Sequence, residues 1–178
     1  MGSEADATEG MQPAKQTNRS SSPIAQIPWK AGAMNNRTET FRWSSVRDCQ
    51  TFLWAMYAAY EGVAVASFEG RLSSLHLHEV PGASNCVTSA LTREDDRSGS
   101  DFWSVPINEE TIKALNTKLS LPRILGKDGV VVHTQLATEE QLIFSACDNF
   151  HKDCVRVWTI VPTSLLEELE RKGVIRHV

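Results

Sequence analysis

"VVVHTQLATEEQLIFSACDNFHKDCVRVWTIV", residues 130–161, is the stretch whose reading decides the fold. Three β-branched or apolar runs, "VVVHTQLA", "QLIFSAC" and "CVRVWTIV", are joined by short polar connections, the pattern of an antiparallel meander. The polar octapeptide "CDNFHKDC" closes the second hairpin, with Cys147 and Cys154 facing each other across its loop. Period-two alternation groups Cys147, Ser145 and Ile143 with Cys154, Arg156 and Trp158 on one face. The other face carries Ala146, Phe144, Leu142, Val155 and Val157 and is the expected core side.

Working outward, "PTSLLEELERKG" combines a proline start, a capping box from Ser164 to Glu167 and a terminal Gly173, which predicts a helix near 163–172. In "NEETIKALNTKL", Asn108 serves as a cap and Ile112, Leu115 and Leu119 share one face, giving a helix near 108–119. A third helix, near 45–61, follows from Val46, Cys49, Leu53, Met56 and Tyr60 at three- and four-residue spacing, with Ser45 and Asp48 as a capping pair and Gly62 at the end. With Asp48 as the cap instead, Cys49 takes the first helical position and is more exposed.

"VAVASF" and "RLSSLHLHEV", separated by Glu69-Gly70, read as a hairpin over 63–80. The fold class expected is therefore α+β: an antiparallel sheet, made of hairpin 63–80 and meander 129–161, packed by three helices. Residues 1–40 hold four acidic and four basic side chains and few large apolar groups, so they read as a flexible polar leader before a single domain over 41–178. Within the leader, "SPIAQIPW" is the one apolar segment, suited to an extended strap.

With 178 residues, 41% hydrophobic and 22% charged, the chain has the apolar mass for one core. The formal charge of −4 and the lack of a dense Lys/Arg run argue against a nucleic-acid partner, whose phosphates demand basic patches. No apolar run is long enough to span a membrane, and the amino terminus lacks an export pattern. Asp6 stands where myristoylation favours Ser or Thr. A soluble cytoplasmic protein is expected, with its four cysteines as thiols and no cofactor.

Several residues invite chemistry. Cys147, His151 and Cys154, with His133 from the preceding strand, offer zinc-type ligands, but C-x3-H-x2-C lacks the usual C-x2-C pair and no metal site is assigned. Opposed Cys147 and Cys154 are near disulfide range. His76 and His78 are expected on one face of a strand with Leu75 and Leu77 buried behind them. Cys49 near a helix start is placed where dipole and free amides stabilise a thiolate.

The segment "DCQTFLWAMYAAYEG" locally resembles the "DCSGFV" nucleophile segment of NlpC-type peptidases in the papain-like group, departing from it with Gln-Thr in place of Ser-Gly. The resemblance implies a cysteine hydrolase or acyl-transfer enzyme with Cys49 as nucleophile, His133 as base and Asp148 or Asn149 as orienting residue. A Ser-rich polar leader would suit a secreted effector of that kind.

The reading favoured from the sequence is different: a small protein-binding or regulatory domain of immunity, accessory or adaptor type, whose partner is another protein. The absence of a cofactor fingerprint and the aromatic and charged side chains at the hairpin tip, Phe150, His151, Lys152 and Asp153, are what suggest it.

Overall fold

The computed structural model describes residues 40–88, 90–94, 99–121 and 123–177, all within the compact unit Arg37–Val178. The expected leader, apart from Thr40, lies outside the described residues, as do its segment "SPIAQIPW" and part of the "REDDR" loop. Seven strands form one sheet: β1 (Thr40–Val46), β2 (Val65–Gly70), β3 (Asp101–Pro106), β4 (Val131–Ala137), β5 (Leu142–Ala146), β6 (Val155–Trp158) and β7 (Ile175–His177). Their order is β3-β2-β4-β5-β6-β1-β7, and all neighbours pair antiparallel. Helices α1 (Cys49–Ala59), α2 (Glu109–Leu119) and α3 (Thr163–Arg171) complete an α+β architecture.

The meander β4-β5-β6 forms as the alternation predicts, with Ser145 opposite Arg156 and Ala146 opposite Val155. Extending that register brings Cys147 opposite Cys154, and the Cys147 N–H donates to the Cys154 carbonyl at 3.3 Å. The sequence also indicated α1, α2 and α3 correctly. The caps of α1 and α3 differ: Asp48, not Ser45, caps α1, its carboxylate accepting the Thr51 N–H at 2.9 Å, while Ser45 and Val46 belong to β1. Asn108 and Thr111 bond reciprocally at the start of α2. At α3 the expected box from Ser164 does not form; the helix starts directly after Pro162 without a side-chain cap.

The hairpin over 63–80 is the main correction. β2 is a central strand, flanked by β3 and β4, and Glu69-Gly70 is its end, not a turn. Gly70 is required there because any Cβ would lie 2.1 Å from the Val130 carbonyl oxygen, at φ +145. After it, "RLSSLHLHEV" folds into two 3₁₀ turns, Ser73–Leu75 and Leu77–Glu79, joined by a left-handed His76. Leu72, Leu75, Leu77 and Val80 are all buried, so the apolar spacing is real but serves turns. The partner strand is instead "DFWSVP", and β1 and β7 were not legible as strands.

Both faces of the sheet centre are buried. Helix α1 covers one, with Phe52 meeting Phe144 edge-on at 5.2 Å. The opposite face carries Ser67, Glu69, Ser104, Gln135 and Ser145, all buried. Residues 84–88 and 90–94 cover this polar layer: Gln135 accepts the Thr92 N–H at 3.1 Å and donates to Glu94 at 2.9 Å, and Glu69 accepts the Glu94 N–H at 2.8 Å. With the Ser104 hydroxyl donating to the Ser84 carbonyl at 3.1 Å, Gln135, Glu69 and Ser104 are buried with partners. Among the described residues no helix is long and apolar enough to cross a membrane.

Gly70→Ala forces backbone movement at the β2–β4 junction, and we expect a loss of about 3 kcal/mol, read as a lowered urea midpoint.

Candidate functional site

A pocket of about 450 Å³ opens at the amino end of α1. Three segments build it: the end of β1 with Val46 and Arg47 followed by Cys49, the turn Gly126–Asp128, and the tip Asp148–His151. The tip has unusual backbone. Asp148, Asn149 and Phe150 are all left-handed, at φ 48, 56 and 62. Asp and Asn tolerate this region, but for Phe it costs about 1–2 kcal/mol.

Burial offsets that cost. Phe150 is only 6% exposed and meets Phe52 edge-on at 6.3 Å, and burying such a ring stabilises by about 1.5–3 kcal/mol. Asn149 fixes the next contact: its N–H donates to the Val132 carbonyl at 2.8 Å, and its side-chain nitrogen, turned toward the strand, donates to the carbonyls of Gly129 at 3.0 Å and Val131 at 2.9 Å. The tip is therefore pinned to the entry of β4 on one side and to α1 on the other.

Cys49 occupies the first turn of α1, beside Gly126, where a Cβ would lie 3.7 Å from Sγ. Burial, and secondarily the neighbouring Asp48 carboxylate, push its thiol up to about 11. Asp48, as the cap, adds to this by bringing an anion to the positive helix end, and it takes up the Thr51 N–H. Asp48 itself is held below the usual carboxylate range, chiefly by the Thr51 hydroxyl.

The structure divides the residues suggested by the papain-like resemblance. Cys49, Asp148 and Asn149 share the pocket; His133 is not among its lining residues. Cross-strand pairing puts His133 with Glu69, and two residues on is Gln135, on the polar face under residues 84–88 and 90–94, opposite the face that α1 covers. His133 Nδ1 accepts the Asp148 backbone N–H at 3.4 Å, so that nitrogen has no proton to give to the Asp148 carboxylate. The Asn149 amide is engaged with Gly129 and Val131. Neither tip residue orients the imidazole through its side chain.

Of the tip residues singled out for partner binding, His151, Lys152 and Asp153 are exposed, and the His151 Nδ1 lies 3.8 Å from Asp153 Oδ2. Phe150 is not available to a partner, since its ring is core; an aromatic in a polar loop gave no hint that the chain would turn it inward. Cys147 and Cys154 are both free and half-buried, and burial, then the neighbouring Cys154, pushes Cys147 up to about 12. The sequence reading missed Arg47, Lys127 and Asp128 of the pocket rim; the breaker-rich "LGKDG" was the available signal, read only as a connection.

No family model matches the chain, and neither does any curated protein or solved structure.

Phe150→Ala should cost about 3 kcal/mol in urea unfolding, whereas His151→Ala on the same loop should stay within about 0.5 kcal/mol.

Proposed function

We propose that this chain is a cytoplasmic protein-binding or regulatory domain, of immunity, accessory or adaptor type, that holds its partner through His151, Lys152 and Asp153 and the adjoining pocket. The observation that carries the reading is the tip itself. Three exposed polar side chains follow a left-handed run whose strain is offset by Phe150 and Asn149, so they are presented from fixed backbone. A fixed display loses little conformational entropy on binding, which favours recognition over adaptation. The rim adds Arg47 and Lys127 to Asp128 and Asp148, a mixed-charge surface suited to a protein partner.

The second reading, a cysteine hydrolase or acyl-transfer enzyme using Cys49 and His133, draws support from Cys49 lining a pocket at a helix start. A thiol raised by burial and a histidine on the other sheet face weigh against it.

Two measurements separate them. A photo-crosslinking residue at position 152 identifies the partner, and titration with that purified partner should show His151→Ala combined with Lys152→Glu weakening affinity at least about tenfold, with Cys49→Ala neutral and thermal melting unchanged. Full affinity in the double variant would remove the tip from the interface. Peptide-resolved iodoacetamide labelling of Cys49 should rise about tenfold per pH unit from neutral to about pH 10, as for a thiol of high pKa. A plateau below pH 8 would instead favour the enzyme.

A further inference from the structure

We propose that His76, His78 and Glu79, remote in sequence from the pocket, bind a divalent transition-metal ion of the zinc type at the surface. One nitrogen of each imidazole and one carboxylate oxygen of Glu79 lie within 4.8 Å of one another. His76 Nδ1 is already 3.8 Å from Glu79 Oε1. Tetrahedral zinc with bonds of about 2.0–2.1 Å sets its donors about 3.3 Å apart, so rotations moving the exposed side chains by about 1 Å complete the geometry.

The backbone beneath is anchored. Buried Leu75 and Leu77 alternate with the two histidines, so the leucines fix the turns from inside while both imidazoles point outward. The left-handed His76, at φ 48, joins the two 3₁₀ turns and brings the imidazole rings to 5.7 Å. Trp103 stands 6.2 Å from the His78 ring and forms an apolar wall beside it.

Glu79 is placed as a ligand with its own support. The Lys118 ammonium holds Oε2 at 2.9 Å and leaves Oε1 toward His76, the arrangement by which an outer partner orients a ligating carboxylate. Two imidazoles and one carboxylate suit zinc, cobalt or nickel; calcium and magnesium prefer oxygen ligands throughout. Three protein ligands leave at least one coordination position for water or for a side chain of another molecule. Among the described residues no other trio of His, Cys, Asp or Glu is so arranged, the Cys147, Cys154, His133 and His151 group included.

Calorimetric titration of the full chain with zinc at neutral pH should show one equivalent bound. His76→Ala and His78→Ala should each weaken it at least about 100-fold and Glu79→Gln about tenfold, with Cys147→Ser and Cys154→Ser without effect. These three side chains are exposed, so circular dichroism should be unchanged. On the wild-type chain, zinc should shift the imidazole proton resonances of His76 and His78 and leave those of His133 and His151 in place. Absence of stoichiometric binding, loss of binding only in the cysteine variants, or shifts confined to His133 and His151 would each overturn the proposal.

Discussion

Phe52 stands between two rings, edge-on to Phe144 of β5 at 5.2 Å and to Phe150 of the hairpin tip at 6.3 Å, and the arrangement of this molecule depends on that contact. It holds the amino end of α1 against the meander and makes the tip part of the core. Each edge-to-face pair contributes about 0.5–1.5 kcal/mol beyond the area buried, enough with that burial to outweigh the left-handed backbone of Phe150. The pocket beside Cys49 is a consequence of this packing: the tip is drawn toward α1 by Phe150 and toward β4 by Asn149, and the space between is lined by what lies at those ends.

A second constraint shapes the opposite face. With strands on either side of β2, β4, β5 and β6, the polar stripe Ser67, Glu69, Gln135 and Ser145 has no access to water once residues 84–88 and 90–94 lie over it. Glu69 is only 2% exposed, and its carboxyl oxygens are met by the Glu94 N–H at 2.8 Å and by Arg93 at 3.7 Å. His133 belongs to this layer. Its sequence position, on the strand before the tip, places it near Asp148 along the chain, but strand alternation sends its side chain to the face that Cys49 does not reach.

The chemistry follows from burial more than from residue type. Cys49 has the position of an activated thiol and not its electrostatics, since burial, and after it the anionic Asp48 cap, disfavour its thiolate. Cys147 and Cys154 sit opposite each other, as alternation dictates, and burial, then the neighbouring Cys154, disfavours the Cys147 thiolate. His76, His78 and Glu79, in contrast, are outside, with solvent-exposed donor atoms and a buried leucine framework beneath them.

By itself the sequence determined the α+β class, the meander with its opposed cysteines, and all three helices to within a few residues, because these rest on local periodicity and on caps such as Asn108. Tertiary structure alone decided where β2 finds its partners. "RLSSLHLHEV" alternates like a strand, yet β3 and β4 occupy both edges of β2, and the alternating leucines are buried just as well from turns. The strands β1 and β7 are specified by what they pair with, not by their own pattern. The inward turn of Phe150 was equally invisible, because it depends on Phe52, nearly a hundred residues away in the chain. Periodicity reports which side chains seek burial; only the packed neighbours settle against what, and so which polar groups are left to meet a ligand or partner.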